Sequence, residues 1–151
     1  MHPQLAKARF DKDLAGIDDE LCAARGWTVF AQEFPLLDVG FKVESGKTLR
    51  LRLRCEDWND QPPSVELFDW DGRLLTGEQM PKPPADGKSS IFNGSPHTTT
   101  GKPFICMRGT REYHTHSSHV GDLWAPLKVL PEFQLGQIVT QIYNGLKAGN
   151  P

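Results

Sequence analysis

Apolar residues Phe10, Leu14, Ile17 and Leu21 recur at helical spacing, with charged residues between them. This predicts one amphipathic helix over residues 4–25, ended by Gly26. The period then drops to two. Residues 27–34 read as a first strand, broken by Pro35; Leu37, Val39, Phe41 and Val43 alternate with more polar neighbours as a second. Ser45-Gly46-Lys47 is a turn, after which Leu49, Leu51, Leu53 and Cys55 alternate with Arg50, Arg52 and Arg54. The arginine row marks a solvent face or a surface for an acidic partner, and Cys55 falls on the core side. A polar connection over residues 56–63 leads to a fourth strand at 65–70, closed by Asp71-Gly72. Residues 74–96 contain Pro81, Pro83, Pro84 and Pro96 and read as a long loop, expected over or beside Cys106. Finally Leu135, Ile138, Val139, Ile142 and Leu146 predict a helix over 131–147, with Gly149 and Pro151 leaving its end loose. Strands bracketed by terminal helices, with no β-α-β alternation, indicate an α+β fold with helices packed on one antiparallel meander.

Bulk properties narrow the picture. A chain of 151 residues with 38% hydrophobic content fits a single domain spanning 1–151. Lys+Arg 17 against Asp+Glu 19 leaves a formal charge of -2, so no general electrostatic attraction draws it to nucleic acid or an anionic membrane. The apolar runs are too short to span a bilayer, and MHPQLAKARF lacks the apolar stretch of a signal peptide. Cys22, Cys55 and Cys106 show no paired spacing, which suits a reducing compartment and gives no thiolate zinc site. The expectation is a soluble cytoplasmic protein without a cofactor.

Candidate chemistry concentrates in residues 101–126, GKPFICMRGTREYHTHSSHVGDLWAP, which hold three of the five histidines. Phe104 and Ile105 deliver Cys106 to the start of a polar loop, where Arg108, Arg111, His114, His116 and His119 lie close along the chain. A thiol acts as its thiolate, and such sites are partly exposed with an imidazole or positive charge nearby; a Phe-Ile-Cys run is equally a core pattern. The histidines and Asp122 admit three readings. They assist Cys106 by accepting a proton from the thiol or from an incoming amine, with Asp122 orienting a ring. Alternatively, His114 and His116 on a strand face one way and bind a catalytic metal with a third ligand. In the third reading they are solvated loop residues. The choice between His114 and His119 is open.

The order of features resembles the ubiquitin-conjugating enzymes: Gln61-Pro62-Pro63-Ser64-Val65-Glu66-Leu67 opening a strand, then His97, Gly101, Ile105-Cys106, Trp124-Ala125-Pro126 and a helix. Family members carry a Pro-Pro strand, a His-Pro-Asn flap, a Gly-x-Ile-Cys-Leu active site and a Trp-Ser-Pro before the second helix. Here His97-Thr98-Thr99 replaces the flap, removing its oxyanion-stabilising asparagine, and a histidine-rich insert lengthens the stretch between Cys106 and Trp124. This is similar to a divergent bacterial branch that keeps a histidine after the cysteine and occurs in antiphage operons. The resemblance implies that Cys106 accepts a ubiquitin-like protein as a thioester from an activating-like enzyme and passes it to an amine of a target protein. It also implies a deconjugating metalloprotease from the same operon as a further partner. Lys7, Arg9 and Lys12 would dock the activating enzyme, or be an ordinary solvated helix face. Competing classes are a non-catalytic binding module of the same fold and a metal-dependent hydrolase built on His114, His116 and His119.

Overall fold

The computed structural model describes residues 1–149; Pro151, expected to loosen the chain's end, lies outside the described residues. The expected first helix is two helices, α1 (Pro3–Leu14) and α2 (Asp19–Arg25). Gly16 weakens the helix between them, and the Asp18 carboxylate accepts the Leu21 N–H at 2.9 Å, starting α2 afresh. Ile17 and Leu21 keep helical spacing across this break, and both pack on the core. Gly26 ends α2 as expected, at φ 68°, where an added Cβ would meet the Lys42 carbonyl oxygen at 2.5 Å.

Four strands follow: β1 (Trp27–Glu33), β2 (Leu36–Lys42), β3 (Thr48–Arg54) and β4 (Ser64–Phe68), antiparallel and in sequential order. Register places Val39 opposite Leu51, and Leu51 opposite Leu67, so the inward residues stack in rows. Against them lie α1, through Ala6, Phe10 and Leu14, and the last helix α4 (Leu135–Ala148), through Leu135, Ile138, Val139, Ile142, Tyr143 and Leu146. The expected helix at 131–147 thus begins with a 3-10 turn, Pro131–Phe133, before α4 proper. Cys55, just past β3, is 1% exposed, in the core as expected. This is an α+β fold with a four-stranded antiparallel sheet and helices near both ends of the chain. Among the described residues, no helix is long and apolar enough to cross a membrane.

The outer face of the sheet is less wet than the arginine row predicts. Arg50 lies 3.9 Å from the Phe30 ring centroid, Arg52 4.8 Å from that of Phe68, and Lys42 4.4 Å from that of Trp70. Gly40 makes room for this layer, since a Cβ there would sit 2.6 Å from the Trp70 ring. Beneath it Asp38, 3% exposed, accepts from Arg50 Nε at 2.9 Å and Arg50 Nη2 at 3.0 Å, and from Arg52 at 3.3 Å. Burial alone would raise the Asp38 carboxyl, but the hydrogen bonds and charges of Arg50 and Arg52 outweigh it and hold it below the usual carboxylate range. A depressed native value means the contribution is present above the ordinary aspartate range and lost as pH falls below that range, through the lowered native value. Asp38→Asn is therefore expected to cost about 2 kcal/mol of unfolding free energy at neutral pH. Urea titrations should show that gap closing towards pH 3.

Candidate active site around Cys106

A two-stranded ribbon, β5 (Phe92–Asn93) with β6 (Phe104–Ile105), carries the cysteine out of the core. Phe104 and Ile105 are buried, and Cys106 beyond them is half-buried. Its N–H donates to the Ile91 carbonyl at 2.7 Å, so the end of the long proline-rich loop does lie beside it.

The turn after Cys106 is held locally. The Thr110 hydroxyl shares its hydrogen between the Ile105 and Met107 carbonyls, at 3.0 Å each, while Gly109 adopts φ 96° against Phe133 and Ile138. Thr110 then caps a short helix, α3 (Arg111–Thr115), where a loop or strand was expected. His114 lies on this helix and His116 is its C-cap, so the two do not share a strand and the geometry behind the metal reading is absent.

Four hydrogen bonds dock α3 on the start of β4 and the prolines before it. The Arg111 N–H donates to the Pro63 carbonyl at 2.8 Å and Arg111 Nε to that of Pro62 at 3.2 Å. Glu112, 7% exposed, accepts from the Val65 N–H at 2.9 Å and from the Ser64 hydroxyl at 2.7 Å. Burial raises the Glu112 carboxyl, and the Ser64 and Val65 hydrogen bonds oppose this without cancelling it.

The structure separates the candidate residues. His119 Nε2 lies 3.5 Å from Cys106 Sγ, and the Tyr113 ring stacks on His119 with centroids 4.2 Å apart and planes at 11°. His114 serves the backbone instead: Nε2 accepts the Gly109 N–H at 3.2 Å, leaving Nδ1 to donate to the Asp122 carbonyl at 2.7 Å. His116 accepts the Ser118 N–H on Nδ1 at 3.1 Å and stacks on Phe104. The Asp122 carboxylate accepts from the Tyr113 hydroxyl at 2.7 Å and from Arg108 Nε at 2.6 Å, and these two partners hold it below the usual carboxylate range. Asp122 therefore reaches the site through Tyr113. Among the described residues, no three His, Cys, Asp or Glu side chains converge in a set able to hold a metal.

His97, the remnant of the flap, is 2% exposed. Its Nδ1 accepts the N–H groups of Thr99 and Thr100 at 3.0 and 3.2 Å, and Nε2 donates to the Glu112 carbonyl at 2.7 Å. It fastens its loop to α3. Trp124 is core as expected, 7% exposed, with its indole N–H on the Asn59 carbonyl at 2.9 Å.

Neither arginine near the cysteine in sequence supplies a charge to the sulfur in these contacts: Arg108 goes to Asp122 and Arg111 to Pro62. Burial pushes the Cys106 thiol up, so it rests protonated. Ionisation needs an acceptor, and in the tautomer with its proton on Nδ1, His119 presents Nε2 to the sulfur. Sequence reasoning missed Glu112, whose partners lie 47 and 48 residues away, and the role of Tyr113, whose only visible signal is an aromatic beside the histidines.

No family model matches the chain. It is similar to the uncharacterized protein y4jH of Sinorhizobium fredii, 24% identical over a gapped span of 148 residues, with 81% of this chain and 72% of that protein covered.

Proposed function

We propose that the protein is a conjugating enzyme for a ubiquitin-like protein, with Cys106 as carrier and His119 as its proton acceptor and donor. The observation that supports this best is the 3.5 Å approach of His119 Nε2 to a half-buried Cys106 at the end of β6. An α+β frame that carries the motifs in conjugating-enzyme order supports it further. In the loading step, Cys106 Sγ bonds to the C-terminal carbonyl carbon of the ubiquitin-like protein as the activating enzyme's C–S bond breaks. The thiol proton passes to His119, and the departing thiolate takes one in turn. In transfer, a target amine forms the new C–N bond and gives up a proton to His119, the Cys106 C–S bond breaks, and the departing sulfur takes that proton from His119. A sulfur disfavoured as thiolate is a slow leaving group unless a proton follows it, which makes the neighbouring imidazole chemically useful. His114 and His116 keep structural roles in this scheme, and the unconverged donors give no support to the hydrolase reading.

The partners are an activating-like enzyme, the ubiquitin-like protein and a target protein, acting in the bacterial cytoplasm within an antiphage pathway, with a deconjugating metalloprotease encoded nearby. The test mixes the chain with such an activating enzyme, its ubiquitin-like protein and ATP. A reductant-sensitive adduct is expected; its absence with every ubiquitin-like protein encoded beside the gene would overturn the reading. His119→Ala is expected to load more slowly than the parent and to discharge to free lysine about 100-fold more slowly in single-turnover assays. His114→Ala should instead lower the melting temperature.

A further inference from the structure

Among the described residues, no carboxylate or carbonyl takes a hydrogen bond from the second ring nitrogen of His119. Catalytic histidines are commonly oriented by a carboxylate or carbonyl on the second ring nitrogen. Here the contacts around the ring are the Cys106 sulfur at Nε2, the Tyr113 face at 4.2 Å and the tilted His116 ring at 5.7 Å. Tyr113 is fixed at both ends. Its N–H donates to the Thr110 hydroxyl at 3.3 Å, and its own hydroxyl donates to Asp122, which Arg108 also holds. We infer that Tyr113 is the positioning residue of this site: anchored by Asp122, it clamps the His119 ring in the plane that brings Nε2 to the Cys106 sulfur. A planar stack stops the imidazole turning about its Cβ–Cγ bond. The ring's negative face also favours the imidazolium formed when the thiol gives up its proton, and the hydrogen bond to a carboxylate enriches that face.

This deepens the conjugation reading at the same site, but its test reads the thiol directly and needs no partner protein. In a Cys22→Ser background, which leaves only buried Cys55 as a second thiol, the rate of Cys106 alkylation by iodoacetamide is followed by mass spectrometry at neutral pH. Tyr113→Leu keeps bulk without a ring face, and Tyr113→Phe keeps the ring without the hydroxyl. The leucine variant is expected to react about threefold to tenfold more slowly, and the phenylalanine variant, which keeps the ring face but loses its anchor, to fall between it and the parent. The decisive comparison is the cycle with His119→Ala: if Tyr113 acts through His119, adding Tyr113→Leu to that variant changes the rate no further. A Tyr113→Leu protein with native circular dichroism and the parent's rate, or multiplying effects in the double variant, would overturn the inference. Failure to load any ubiquitin-like protein would leave it standing.

Discussion

Cys106→Ser, charged under the same conditions as the parent chain, is expected to hold the ubiquitin-like protein through a bond that resists thiol reductant, while Cys106→Ala holds none. The parent adduct vanishes with reductant, so electrophoresis with and without it distinguishes all three. Complete loss is expected because no other sulfur can stand in. Cys55 is 1% exposed, and burial keeps its thiol protonated far above neutrality. Cys22 is half-buried on α2, and burial followed by the charges of Asp19 and Asp18 raises its thiol too. Among the described residues, Cys106 alone of the three cysteines has an imidazole at 3.5 Å. Cys106→Lys adds a sharper separation: a transferring enzyme should trap its partner as an amide stable to reductant and hydroxylamine. A binding module would retain partners equally well with cysteine, alanine or lysine.

Glu112→Ala is expected to cost about 3 kcal/mol of stability, because it strips the buried Val65 N–H of its acceptor and opens a void under α3. The same change frees the helix that carries Tyr113, so alkylation and loading of Cys106 should fall along with the melting temperature. Glu112→Gln retains a side-chain oxygen for Ser64 and Val65 and should lose much less. The pH behaviour is opposite to that of Asp38. Burial raises the Glu112 carboxyl, so the native state binds its proton more tightly than the unfolded chain. Its effect on stability therefore becomes less favourable as pH rises above the ordinary glutamate range. Glu112→Gln should flatten that decline, measured as the slope of melting temperature against pH from 4 upwards.

The parts of this molecule legible in the sequence are those in which one face of a repeating element meets the core. Leu37, Val39 and Phe41 opposite Leu53, Leu51 and Leu49 could be read from alternation alone, and α4 from its apolar stripe. The break between α1 and α2 could not, because Ile17 and Leu21 preserve helical phase across it while Asp18 restarts the hydrogen bonding. Helix α3 is five residues long, too short for a period to show. Cys106 was legible as a candidate nucleophile through its place between the Pro-Pro strand and Trp124. Which histidine meets it was not, since that depends on the Gly109 turn and on His114 being taken up by the Gly109 and Asp122 backbone. The Pro62-Pro63 pair has a plain physical use: the carbonyls of both residues receive Arg111.

The layer outside the sheet gives the molecule an optical handle. Trp27, Trp58 and Trp124 are each at most 7% exposed, whereas Trp70 sits half-open beneath the Lys42 ammonium. Iodide, drawn by Lys42 and Arg50, should quench the emission of Trp70 ahead of the other three, and Trp70→Phe should abolish most of that early quenching. Anything that settles on this side of the sheet would then announce itself as a change in fluorescence, without a label.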